Sequence, residues 1–373
     1  MINTFMDSKF KSFLLGLATL MGTVIGAGFL GIPKALTLSG YFEGAILMIL
    51  VAFFMFVMCL FTTELTLNTK AVYQMPGMIR KYLGKGWGIF TSIIFSLISV
   101  GAIIAYLLGS SKILSNITGF NQVFCMIAYF VVIFIFVFKG LNSVKKAAFF
   151  IELSLFSFLL ILAFFLRGDF AFSTLSFPAA GNLIIPFGVI LFSFGGYNIM
   201  AQVEQITKSN KDLMVKISFY GILLSFVFFF LFATIMLGVF GSQISEIATE
   251  SLTGVVGLIG NLIALFAMTG SFIMSGLLLK DMLVNDYSLN PNISSFIAMF
   301  LPLIFIILFG PSFINTLAFT GAVVAGIFGV ILCITIIYER KKITKFYYKA
   351  PFGNFLPIIT AIFFLIGILV TLL

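Results

Sequence analysis

Few side chains in this sequence can do chemistry. Its 373 residues include 12 Asp and Glu, 21 Lys and Arg, and no His. Without imidazole there is no Ser–His dyad, no HExxH zinc site and no imidazole proton relay. Asp7, Asp169, Asp212, Asp281 and Asp286 fall in tails, loops or the ends of apolar runs, so no pair of aspartates is set up for an intramembrane protease. Cys59, Cys125 and Cys333 stand far apart in apolar runs, with neither disulfide nor metal-cluster spacing. What remains is the backbone. "GTVIGAGFLGIP", residues 22–33, puts Gly22, Gly26, Gly28, Gly31 and Pro33 inside one apolar stretch, and "FSFGGYN" puts Gly195 and Gly196 inside another. Glycine weakens a helix and proline breaks it, so both stretches are expected to unwind near their midpoints.

The elements that must hold these residues are membrane helices. Hydrophobic residues make up 61% of the chain and charged residues 9%, with a mean hydropathy of +1.23, outside the range of soluble domains. Apolar stretches of about 20 residues, the length that crosses a bilayer, run at roughly 13–38, 44–67, 88–111, 121–138, 147–166, 182–206, 217–240, 254–279, 294–310, 313–337 and 354–372. If the N-terminus is cytoplasmic, every Lys and Arg except Lys34, Lys112 and Arg167 falls on the cytoplasmic side, the bias that sets orientation. The sequence therefore predicts about eleven spans in a plasma membrane, with the N-terminus inside and the C-terminus outside. The net charge of +9 sits in short loops as a topology signal, which leaves the bilayer as a partner and excludes nucleic acid. The first apolar run lacks a small-residue cleavage site and reads as a retained span. The oligomeric state is not legible.

The two glycine clusters lie five spans apart. Two groups of five spans, each opening with an interrupted helix, are the pattern of an inverted-topology repeat. The expected organisation is one transmembrane domain over 1–373, with repeats at roughly 13–166 and 182–337 and an extra helix at roughly 354–372. Unwinding at membrane depth frees N–H and C=O groups, which is tolerated only where they line a cavity. A half-helix N-terminus suits a carboxylate and freed carbonyls suit an ammonium or a cation, so an amino acid zwitterion matches both. "GTVIG" is also a GxxxG packing motif, but the matching break five spans later favours binding. On this reading Gly26, Ala27 and Gly28 present bare backbone to the ligand, and a bulky residue at Gly28 is expected to block it while sparing the fold. A channel would show a filter repeat or rings of charge, and neither is visible. A divalent-metal carrier would place a carboxylate in the first break, where there is none.

"GTVIGAGFLGIPKAL" resembles the first-helix signature of amino acid permeases in the amino acid–polyamine–organocation superfamily, nearest the branch of aromatic amino acid and auxin-type permeases. "TELTLNTKAVYQMPGMIRKYLGKGWG", "FSFGGYNIMAQVEQITKSNKDL" and "LLLKDML" extend the resemblance over nearly the whole chain. It implies an all-α polytopic membrane protein with a LeuT-type 5+5 inverted-repeat core and helices 1 and 6 broken. It also implies secondary active uptake of an amino acid by alternating access, with no enzymatic activity and no cofactor. Carried over, the carboxylate-binding backbone falls on Gly26, Ala27 and Gly28. The ammonium-binding carbonyls fall on Phe192, Ser193 and Phe194, with Gly195 and Gly196 in the same break. Tyr106 takes the place of an aromatic residue near the substrate, or is an ordinary interfacial tyrosine.

The coupling ion is left as sodium or a proton, and no other metal is implied. The lysine that replaces sodium in some proton-coupled relatives is missing from span five, "AAFFIELSLFSFLLILAFF". A sodium site would map to Gly22, Ile25 and the hydroxyls of Thr269, Ser271 or Ser275, although hydroxyls in membrane helices more commonly bond their own backbone or a neighbour. Glu152 is either a proton carrier or the partner of a nearby basic residue such as Lys145 or Lys146. Glu64 and Glu204 end spans two and six, where a gate or a loop ion pair is favoured over proton transfer. The alternatives are an exchanger or a carrier of an amine or polyamine on the same fold, and more distantly an intramembrane enzyme or a channel.

Overall fold

Apolar runs become helices because a backbone without water partners must bond to itself. The structure, a computed structural model, describes residues 8–69, 74–140, 144–175 and 181–372, with the side chains of residues 8 and 144–152 outside the described set. In chain order the helices are α1 (Ser8–Val24), α2 (Gly28–Ser39), α3 (Tyr41–Thr69), α4 (Met75–Leu83), α5 (Lys85–Thr118), α6 (Gln122–Lys139), α7 (Val144–Phe165), α8 (Ile184–Ser193), α9 (Met200–Thr207), α10 (Lys211–Phe240), α11 (Gly254–Tyr287), α12 (Pro291–Phe309), α13 (Phe313–Phe319), α14 (Gly326–Lys342) and α15 (Phe355–Leu372). Nine helical stretches among the described residues are long and apolar enough to cross a membrane, and α1 with α2 form a further pair bent by 50°. The apolar helix α7 adds another candidate.

Burial sorts these helices into a centre and a rim. The Phe313–Lys342 stretch buries 78% of its apolar window, whereas α6 and α15 each bury 28%. The first therefore lies in the middle of the bundle and the others turn most of their apolar surface outward, as helices facing lipid do. The most extensive helix contact is between α5 and α11; α11 also packs on α1 and α7, and α5 on α13. On the rim, α6 and α12 are joined by a phenylalanine ladder, with Phe134 5.2 Å from Phe296 and 5.5 Å from Phe300, ring centre to ring centre.

Three features depart from the expectations of the sequence. Pro33 does not break the first span. It lies buried within α2, and the interruption falls earlier, at residues 25–27. A proline in a membrane helix is tolerated where neighbouring helices enclose it. The stretch after span two is not simply a loop, because it carries the amphipathic helix α4, which packs on α5 and α14. Pro76 stands in its first turn, where a missing N–H costs nothing. Gly84 ends the helix at φ 95°, a conformation that a Cβ would strain. Finally, α13 and α14 are joined through a π-helical segment, Thr320–Ala325, inside what reads as a uniform apolar span.

At the α4 end of the bundle, Glu64 of α3 and Arg340 of α14 make a buried ion pair. Arg340 Nη2 and Nε donate to the two carboxylate oxygens at 2.6 and 2.7 Å. The backbone N–H of Ala350 also donates to Glu64, at 2.8 Å. Arg340 further holds the carbonyls of Ala350 and Gly353, so the segment between α14 and α15 is strapped to the pair. Glu204 accepts from Ser209 within its own helix end.

Candidate functional site

The two interruptions meet. In the first, Ile25 N–H donates to Met21 O and Gly26 N–H to Val24 O, which closes a tight turn after α1. The N–H groups of Ala27, Gly28 and Phe29 then have no backbone carbonyl among the described residues, as at any helix start. In the second, Gly195 N–H donates to Phe192 O and Gly196 N–H to Phe194 O, and the chain resumes through a short 3₁₀ turn, Tyr197–Ile199, into α9. The carbonyl of Ser193 receives no backbone donor among the described residues. A Cβ built on Gly28 would stand 2.7 Å from the Cα of Ser193, and one on Gly196 would strike the side chain of Val24. The start of α2 therefore touches the end of α8, and each break covers the other. Unpaired donors at the start of α2 and an unpaired acceptor at the end of α8 thus lie on touching segments, an arrangement suited to a ligand with opposite charges a few ångströms apart.

A cavity opens beside this crossing, with about 730 Å³ of space free of protein atoms including its mouth. Its floor is backbone, from Gly26, Gly28 and Gly195. One wall is a face of α5, where Phe95, Ile98, Ser99, Ala102 and Tyr106 recur at helical spacing. A second wall is α11, through Ser275 and Leu278. The third is the π-helical segment and the start of α14, through Thr320, Ala325 and Phe328. A π-helical turn inserts an extra residue and is common at functional sites. Here it lets Gly321 approach the end of α8, where a Cβ would stand 2.7 Å from Phe192 N.

The structure brings part of the predicted set together. Gly26, Gly28, Tyr106, Phe192, Gly195 and Ser275 all line the cavity. The Tyr106 and Ser271 hydroxyls would each stand 2.9 Å from a Cβ on Gly26, so the tyrosine sits beside the first break. Ala27 is buried at the break itself. Ser193 turns its hydroxyl to Val189 O at 2.7 Å, and Phe194 packs on Phe229. Of the candidate ion ligands, Ser271 Oγ donates to Gly22 O at 3.1 Å, and Ile25 is buried beside them. Thr269 is placed elsewhere. Two residues from Ser271 is just over half a turn of helix, and its hydroxyl meets Tyr129 of α6 at 2.8 Å instead. Glu152 lies in α7 with its side chain outside the described residues. The expectation for Gly28 requires correction. Because the position faces backbone rather than open space, a bulky residue there would push α2 off α8 and disturb the fold.

Sequence reasoning missed Phe95, Ile98, Asn198, Thr320 and Phe328. The apolar spans have no polar stripe to reveal which face turns inward, and a π-helical turn leaves no mark in a stretch that is apolar all round. Asn198 alone carried a signal, as an amide two residues past a glycine pair.

The comparisons agree with this geometry. Over 406 aligned positions, 95% of this chain and 94% of the other, the sequence is 24% identical to the low affinity tryptophan permease of Escherichia coli K12. A 132-residue stretch, 34% of each chain, is 29% identical to glutamine transporter 2 of Aliivibrio fischeri. The crystal structure of MhsT in complex with L-phenylalanine superposes with a TM-score of 0.72 at 12% identity, covering 96% of this chain and 98% of that one. That likeness establishes the fold as the LeuT-type transporter fold. The profile of the tryptophan/tyrosine permease family matches residues 9–373. The chain belongs to that family, as a secondary amino acid transporter and not an enzyme.

Proposed function

We propose that this protein takes up an aromatic amino acid, coupled to an ion gradient, by alternating access about the crossing of the two broken helices. The observation that carries the proposal is that the segment with unpaired N–H groups at residues 27–29 touches the segment with the unpaired carbonyl of Ser193, next to a cavity with aromatic walls. The substrate carboxylate sits at the start of α2 and its ammonium at the end of α8. The ring lies between Phe95, Ile98 and Phe328, where burial of apolar surface supplies most of the affinity. Tyr106 closes over the carboxylate end. The two halves, roughly 13–166 and 182–337, are inverted repeats that rock about this site, with α15 outside them.

For the ion, the carbonyl of Gly22 and the hydroxyl of Ser271, already in contact, form the start of a sodium site that Ile25 O and Ser275 would complete. Oxygen ligands of this kind suit a hard cation. The N-terminus is cytoplasmic and the C-terminus outside, in a plasma membrane. Labelled tryptophan uptake into proteoliposomes tests the reading, with an inward sodium gradient in one arm and an inward proton gradient without sodium in the other. Accumulation in the sodium arm alone supports both substrate and ion. Accumulation in the proton arm alone removes the sodium site and points to Glu152. Failure of both, with no exchange of preloaded tryptophan, rejects the aromatic substrate.

A further inference from the structure

We infer that Asn198 reads the polar atom on the substrate's aromatic ring, accepting a hydrogen bond from an indole N–H or donating one to a phenol oxygen. The inference rests on the aromatic substrate proposed above and adds the residue that selects among such substrates. Asn198 sits in the 3₁₀ turn where the chain resumes after Gly195 and Gly196, and it lines the cavity. Its Oδ1 is enclosed by protein and has no hydrogen-bond partner among the described residues. Buried polar atoms are nearly always paired, and leaving one unpaired is unfavourable. An unpaired amide in the wall of a binding cavity is therefore a group that the ligand completes.

Several of the other polar groups of the wall have different commitments. Thr23 donates to Thr19 O at 2.9 Å and Ser99 to Phe95 O at 3.1 Å, each within its own helix. The Tyr106 hydroxyl stands beside Gly26 and Ser271, at the carboxylate end of the site. What surrounds a ring in the rest of the cavity is mainly apolar, from Phe95, Ile98, Leu278 and Phe328, with Ser275, Thr320 and Tyr197 contributing hydroxyls and no further amide. An apolar slot with one uncommitted amide fits a flat ring that carries one N–H or O–H. A side-chain amide both donates and accepts, so it serves indole and phenol alike. Phenylalanine fills the same slot but leaves the amide unpaired, the situation in which a polar site rejects an analogue most strongly.

The test is competition against labelled tryptophan bound to the purified full-length protein, with tyrosine, phenylalanine and 3-benzothienylalanine, in which sulfur replaces the indole N–H at nearly constant shape. The wild-type protein is expected to bind tryptophan at least about tenfold more tightly than phenylalanine or the sulfur analogue, which corresponds to about 1.4 kcal/mol. In Asn198→Leu and Asn198→Ala both ratios are expected to fall towards one, with phenylalanine affinity kept or raised. Retained phenylalanine binding also shows that the variants are folded. Unchanged ratios in both variants overturn the inference while leaving the substrate reading intact. An equal loss for all four ligands in both variants also overturns it, because Asn198 would then be a structural residue. A wild-type protein that binds none of the four overturns the substrate reading, and this inference with it.

Discussion

Gly26 and Gly28 are two residues apart and do different jobs. A Cβ on Gly26 meets only side-chain atoms, the hydroxyls of Tyr106 and Ser271 at 2.9 Å and the Ser271 Cβ at 3.1 Å, which can give by a few tenths of an ångström. A Cβ on Gly28 meets the Cα of Ser193, which cannot. Gly26→Ala is therefore expected to keep the thermal stability of the protein in detergent while lowering substrate affinity. Gly28→Ala is expected to lose about 1–3 kcal/mol of stability, the usual result of overpacking a tight contact. Thermal unfolding and ligand binding measured on the same two samples separate these outcomes, and equal behaviour of both variants would contradict the crossing described here. At the ion site, Ser271→Ala is expected to raise the sodium concentration that half-saturates uptake, read from initial rates over a sodium series. An unchanged half-saturation would remove Ser271 from the site.

Between elements, two contacts hold neighbouring helices in register. The first is backbone against backbone, where the π-helical segment meets α8. A Cβ on Gly321 would fall 2.7 Å from Phe192 N, and one on Gly188 would fall 2.7 Å from the Cα of Ala318. Gly321→Ala is expected to destabilise the fold and to depress uptake together, measured as a lower unfolding temperature and a lower initial rate. The second is the Glu64–Arg340 pair, which ties α3 to α14 and to the strap before α15. Removing one partner of a buried pair strands the other charge, so Arg340→Ala should cost about 3–5 kcal/mol. Glu339, the neighbour of Arg340, is also buried, and neither of its carboxylate oxygens has a hydrogen-bond partner among the described residues. With Glu64 already occupying the guanidinium, Glu339→Gln is expected to leave stability unchanged or raise it. Chemical or thermal unfolding of the two variants side by side decides whether the ion pair or its neighbour holds this end of the bundle.

For the whole molecule, orientation is the property on which the transport direction depends. In the proposed topology the C-terminus lies on the outer face, so a green fluorescent protein fused after residue 373 is expected to stay dark in cells, whereas an N-terminal fusion fluoresces. A bright C-terminal fusion would reverse the proposed topology or change the number of spans by one.

The breadth of apolar sequence was enough to make this an all-helical membrane protein, because only helices and closed barrels satisfy a backbone in lipid. The glycine runs at residues 22–31 and 195–196 marked both interruptions and, through their order and spacing, the family. Local backbone chemistry is written locally, which is why these features could be read without the fold. Other properties depend on which atoms arrive from elsewhere. Tyr106 lies in α5, Ser271 in α11 and Gly26 in the break between α1 and α2, and only packing sets the rotation that brings them together. The same holds for Thr269, whose hydroxyl turns to Tyr129 because of the side of α11 on which it stands. Pro33 looked like the breaker, yet the chain yields at residues 25–27, where Gly28 must come close to Ser193. The unpaired amide of Asn198 and the π-helical turn beside it emerged only with the tertiary structure. In a chain that is apolar on every side, hydropathy locates the helices but not the faces that they turn to one another.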